Sequence, residues 1–127
     1  MTNTSLVTLR LQSNEIGDGG AQGFGELLKR NTTIGCLILS GNNIGDQGVK
    51  ALSLALQTNT TLKCLNLNDN NIGPEGANAL CEALEHNTTL EELTLCSRNN
   101  TFGEDEERKL TFAWKGLPKK LVLSLRS

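Results

Sequence analysis

No tyrosine occurs among the 127 residues of the chain, tryptophan appears once and phenylalanine three times. A core with so little aromatic bulk has to be filled by many small, similar slots, which favours a repeated architecture over one irregular core. Histidine is nearly absent too: His86 is the single copy, and no Cys-x-x-Cys pair accompanies it. The usual ligand spacing of a structural zinc site is therefore missing. A nucleophile activated by histidine also has no partner column near its base, so no enzyme activity and no cofactor are expected. Positive charge is not in surplus, with 12 Lys+Arg against 14 Asp+Glu, which speaks against phosphate backbones and hence nucleic acid as ligand. No apolar run approaches the ~18 residues of a membrane span. The opening Met1-Thr2-Asn3-Thr4-Ser5-Leu6 carries neither the basic stretch nor the apolar segment of a secretory signal. These absences together lead us to expect a cytoplasmic, non-catalytic chain that contacts no membrane.

Leucine dominates what remains, with 23 copies, and its placement is periodic. Asn-Thr-(Thr/Ser) begins at Asn3, Asn31, Asn59 and Asn87, always 28 residues apart. Leu6, Ile34, Leu62 and Leu90 form a column in that register. Leu9, Leu37, Leu65 and Leu93 form a second, and Leu11, Leu39, Leu67 and Leu95 a third. Asn14, Asn42 and Asn70 follow, then Ile16, Ile44 and Ile72. Leu-x-Leu alternates with period two and reads as a short strand with leucines on one face. The second half of each unit has the spacing of a helical stripe: Val49, Leu52, Ser53 and Leu56 in one unit, Ala77, Leu80, Cys81 and Leu84 in the next. Asp18 and Asp46 stand where the helices should begin, as N-caps or as first-turn charges, and Pro74 suits a first helical position. Strands joined by such helices run parallel, and each unit can bury its leucines only against the next. Each Asn at the turn out of a strand is expected to bond backbone groups left open by the bend, in a continuous ladder.

The unit Asn-Thr-Thr-Leu-x-x-Leu-x-Leu-x-x-Asn-x-Ile-Gly-x-x-Gly-Ala-x-Ala-Leu, clearest in residues 59–80, resembles the ribonuclease-inhibitor-like class of leucine-rich repeats. Similar units form the sensor domains of NOD-like receptors. The resemblance implies an α/β leucine-rich repeat solenoid, a horseshoe segment with parallel strands on the concave face and helices on the convex face. It implies protein binding and no particular activity. We expect one domain over residues 1–127, with repeats 3–30, 31–58, 59–86 and 87–116 and a C-terminal capping strand within 117–127.

The fourth unit departs from the pattern. Phe102 takes the isoleucine column two residues late, and Glu104-Asp105-Glu106-Glu107 opens the next helix, where acidic charge suits the dipole. Leu110 and Trp114 fall on the inward stripe, while Phe112 takes the place held elsewhere by Glu26, Leu54 and Glu82. Such bulk suits a cap. At the other end, Leu6–Leu11 should form an uncovered edge strand, through which the chain is a piece of something longer or pairs with another copy or partner. Cys36 and Cys64 share a column, but neighbouring parallel strands stand ~4.8 Å apart, so free thiols are expected rather than a strained bridge. Asn3, Asn31, Asn59, Asn87 and Asn99 satisfy the glycosylation sequon, but the first four are one repeated turn motif.

With leucines turned inward, the alternate residues line the concave sheet. One row is Thr8, Cys36, Cys64 and Glu92; the next is Arg10, Ile38, Asn66 and Thr94; the third is Gln12, Ser40, Asn68 and Cys96. Together with Arg98 in the adjoining loop these are the expected partner-binding residues, and an unknown protein ligand is the expected partner. The alternatives are a self-assembling structural unit, a homo-oligomer joined through the N-terminal edge, and a small-GTPase regulator.

Overall fold

A computed structural model describes residues 6–30, 33–96, 99, 101–114 and 120–123. Strand and helix alternate without exception: β1 Val7–Arg10, α1 Gly17–Arg30, β2 Ile34–Ile38, α2 Asp46–Leu56, β3 Cys64–Asn66, α3 Pro74–His86, β4 Glu92–Leu95, α4 Glu104–Ala113 and β5 Lys120–Leu123. The strands form one five-stranded sheet in the order β1-β2-β3-β4-β5, every pair parallel. A helical crossover between consecutive strands forces that direction. The chain folds as the leucine-rich repeat solenoid, and β5 closes the sheet beside β4. Arg98 and residues 117–119 and 124–127 lie outside the described residues.

The leucine columns are the core. Leu37, Leu39, Leu65, Leu67, Leu93 and Leu95 are fully buried; Leu37, Leu65 and Leu93 are in register across β2, β3 and β4, and Leu39 and Leu67 follow just past the ends of β2 and β3. The helix stripes close over them: Val49, Leu52, Ser53 and Leu56 from α2, and Ala77, Leu80, Cys81 and Leu84 from α3, are all buried. Phe102, Leu110 and Trp114 fill the fourth unit from inside. Phe112 stays outside on α4, 89% exposed, as its register position requires.

The first repeat differs. Leu9 and Leu11 are only partly buried, and Leu6 is half-exposed although Ile34, Leu62 and Leu90 of the same column are buried. Leu6 keeps its place in the column but lies at the edge of the sheet. Among the described residues no strand lies on the outer side of β1, so the head of its column has one neighbour instead of two.

Two polar ladders fix the spacing between units. Asn70 is fully buried. Its Oδ1 accepts the N–H groups of Asn42 (3.0 Å) and Ile44 (2.9 Å). Its Nδ2 donates to the carbonyls of Leu39 (3.0 Å), Leu67 (3.1 Å) and Asn68 (3.1 Å). Asn42 repeats the arrangement one unit earlier, accepting from Asn14 and Ile16 and donating to Leu11 and Ser40. The Asn-Thr-Thr asparagines make the second ladder. Asn59 donates to the carbonyl of Leu28 near the end of α1, and Asn87 to that of Leu56 in α2, while each Oδ1 gathers the N–H groups of its own turn. Both amides are engaged, which ties these two sequons to folding.

Asp18 and Asp46 work across the repeat boundary. Asp46 Oδ1 accepts the N–H groups of Gly73 (2.7 Å) and Gly76 (3.0 Å), at the start of α3. Asp18 does the same for Gly45 (2.6 Å) and Gly48 (3.0 Å) at the start of α2. Of the two roles the sequence offered, each is a first-turn charge in its own helix, and it caps the next helix instead of its own. A Cβ at Gly76 would stand 2.6 Å from Asp46 Oδ1, so the approach requires glycine there. Pro74 occupies the same column and has no carboxylate to pass on. Accordingly α4 is capped from within, Glu106 Oε1 accepting the Gly103 N–H at 2.7 Å.

Candidate functional site

The alternation of side chains along short strands sets the concave face. In register, Thr8 lies beside Cys36, Cys36 beside Cys64 and Cys64 beside Glu92. Arg10, Ile38, Asn66 and Thr94 form the neighbouring row. Gln12, Ser40, Asn68 and Cys96 lie at the turns that leave the strands, held by backbone bonds from Ser13 to Ser40, Gly41 to Asn68 and Asp69 to Cys96. The structure therefore brings together twelve of the thirteen expected residues.

Their exposure is graded. Thr8, Arg10 and Gln12 at the open edge are exposed, whereas Cys36, Ile38, Ser40, Cys64, Asn66, Asn68, Glu92 and Cys96 are half-buried between adjoining strands. Thr94 holds its register position but is only 8% exposed, and its hydroxyl finds no hydrogen-bond partner among the described residues. It is a floor residue rather than a contact. Two asparagines are partly committed to structure: Asn66 Oδ1 accepts the Asn68 N–H at 2.9 Å, and Asn68 Oδ1 accepts the Cys96 N–H at 2.7 Å. Opposite charges stand on the face, Arg10 on the edge strand β1 and Glu92 on β4, next to the last strand.

All four cysteines are free thiols. Burial pushes the Cys64 thiol up to about 12, helped by the adjacent Cys36 and by the charge of Glu92, with Arg10 acting the other way. Burial also raises Cys81 to about 11. Neither thiol has the low pKa of a catalytic nucleophile. Among the described residues no group of three or more His, Cys, Asp or Glu could hold a metal ion, and no helix is long and apolar enough to cross a membrane.

A second surface was not picked out by the sequence pattern. An open groove of about 1040 Å³ runs along α3 and α4, lined by Cys81 and Glu85 on one side and by Glu107, Arg108, Thr111 and Phe112 on the other. Its signal was present: Phe112 occupies a column whose other members face outward, although the aromatic was read as part of a cap.

The chain matches a family described as the TMOD/LMOD leucine-rich domain over residues 21–116, and a leucine rich repeat family over residues 2–25. Among solved structures it is similar to leiomodin-1 actin-binding site 2, with TM-score 0.83 and 25% identity, over 94% of this chain and 71% of that one. It is also similar to the tropomodulin C-terminal domain of Caenorhabditis elegans, with TM-score 0.80 and 18% identity, over 98% of this chain and 77% of that one. That second likeness speaks for the fold alone. No curated protein matches the sequence.

Proposed function

We propose that this chain, which belongs to the TMOD/LMOD leucine-rich domain family, is a non-catalytic protein-binding domain whose partner is actin. One observation carries the reading: the whole fold superposes on a domain described as an actin-binding site, over 94% of this chain. The contact surface is the concave face, from Arg10 and Gln12 at the open edge through Ile38, Ser40 and Asn66 to Glu92 and Cys96. Exposed Arg10 beside half-buried Ile38 supplies the charged and apolar pair that binding surfaces concentrate. Four cysteines outside any disulfide suit a reducing compartment, and we assign the chain to the cytoplasm as one domain of four repeats and a closing strand.

Titration of labelled monomeric actin with the full chain tests this. Binding is expected in the micromolar range, with the R10E/I38D variant weakened at least about tenfold, equivalent to ~1.4 kcal/mol. Absence of binding up to about 100 µM would remove actin as the partner. Equal binding by wild type and by a variant with unchanged circular dichroism would move the contact off the concave face.

A second reading, self-association through β1, rests on Leu6 and Val7, each 49% exposed at the outer edge of the sheet. An edge strand with apolar side chains offers open backbone groups to another strand. Sedimentation at high micromolar concentration should show dimer in wild type and monomer in Val7→Lys. Monomer in both would remove the idea. No residue arrangement favours regulation of a small GTPase.

A further inference from the structure

We propose that Cys36 and Cys64 form a two-coordinate site for a soft monovalent metal ion, of the copper(I) class, on the concave face. The two residues are direct partners in adjacent parallel strands, both half-buried and both reduced. Parallel neighbours stand about 4.8 Å apart and project their side chains the same way. Metal–thiolate bonds of about 2.3 Å give a linear S–M–S unit a span of ~4.6 Å, close to that spacing. A disulfide draws its Cβ atoms to ~3.8 Å, about 1 Å less than parallel, same-facing side chains on neighbouring strands are spaced, so closing one would strain the pair. The pair is thus spaced for an inserted ion and poorly spaced for direct oxidation.

The number of donors selects the ion. Glu92 stands in register beside Cys64, but no group of three or more His, Cys, Asp or Glu among the described residues could hold a metal ion, so four-coordinate zinc and six-coordinate hard cations have no ligand set. Soft thiolates with low coordination number select copper(I). The chemistry balances without a redox step: two thiols and one M⁺ give one bis-thiolate complex and two released protons. That complex carries one negative charge. Arg10 favours it and Glu92 opposes it, and these are the charged groups that act on Cys64 together with Cys36 itself. Because the ligands are thiolates, binding releases protons and affinity rises with pH.

The test uses the full chain under anaerobic conditions, titrated with copper(I) against a chromophoric chelator, and with silver(I) as a redox-inert probe. The C81S/C96S variant should still bind one equivalent as a monomer, with X-ray absorption showing two sulfur neighbours. Cys36→Ser or Cys64→Ser should each weaken binding at least about 100-fold through loss of the second arm, whereas Cys96→Ser alone should leave it unchanged. Affinity unaltered by Cys36→Ser, or an ion shared between two chains at half stoichiometry, would overturn the site. If C81S/C96S does not fold, comparison of Cys36→Ser with Cys96→Ser in the otherwise intact chain decides the same point.

Discussion

At the scale of single residues, the buried asparagines carry a disproportionate share of the specification. Asn70 satisfies two backbone N–H groups and three carbonyls from inside the core. Asn70→Ala leaves those groups buried and unpaired and should cost more than about 3 kcal/mol. Asn14 is exposed, and its side-chain amide donates to the Gln12 carbonyl at 3.1 Å while its bond to Asn42 runs through the backbone N–H, so alanine there should cost less than about 1 kcal/mol. Urea unfolding of the two variants measures the contrast, and equal losses would contradict the ladder. Ser53 points the other way. Its hydroxyl is buried without a partner among the described residues, so Ser53→Ala should leave stability unchanged or raise it by up to about 1 kcal/mol. The asparagine column was legible because a polar residue recurred at fixed spacing beside leucines. The orphaned hydroxyl was not, since spacing places Ser53 on the inward stripe without saying what faces it.

Successive helices are joined by a relay that passes from each repeat to the next. Asp46 belongs to α2 but caps α3. Replacing it with alanine should cost about 1–2 kcal/mol. It should also speed hydrogen exchange at Gly73 and Gly76 by roughly tenfold, while the first turn of α2 keeps its protection. Loss of protection in α2 instead would return the aspartate to its own helix. Sequence alone offered both roles for Asp18 and Asp46, because residues that suit a cap also suit a first turn. Which helix receives the bond depends on how far neighbouring units are offset, and packing decides that. The concave rows were readable for the opposite reason: alternation along a strand is local, so period two assigns the face directly. Thr94 shows where that ends. Its side of the sheet was evident, but its burial depends on what stands around it.

For the molecule as a whole, each helix packs on the next helix and each strand on the next strand, as expected of an array held together by nearest neighbours. Stability should therefore fall toward the ends. Leu65→Ala, at a fully buried site, should cost about 2–5 kcal/mol, whereas Leu9→Ala, in the same column but only partly buried, should cost about 1 kcal/mol. Denaturation midpoints that drop equally would argue for a single cooperative core. The column of Leu9 was legible from spacing, and the open edge at Leu6 from the position of the first repeat, but how far each residue of that repeat is covered is a matter of stacking rather than of spacing.

The break in the aspartate relay at Pro74 has a consequence for how such an array can be lengthened. A unit that hands a carboxylate forward and receives one from behind is interchangeable with its neighbours, so an extra copy spliced in after residue 58 would find its cap waiting. A copy spliced in after residue 86 would meet proline instead and would have to bring its own Glu106. Growth by duplication is thus open upstream of that proline and closed beyond it.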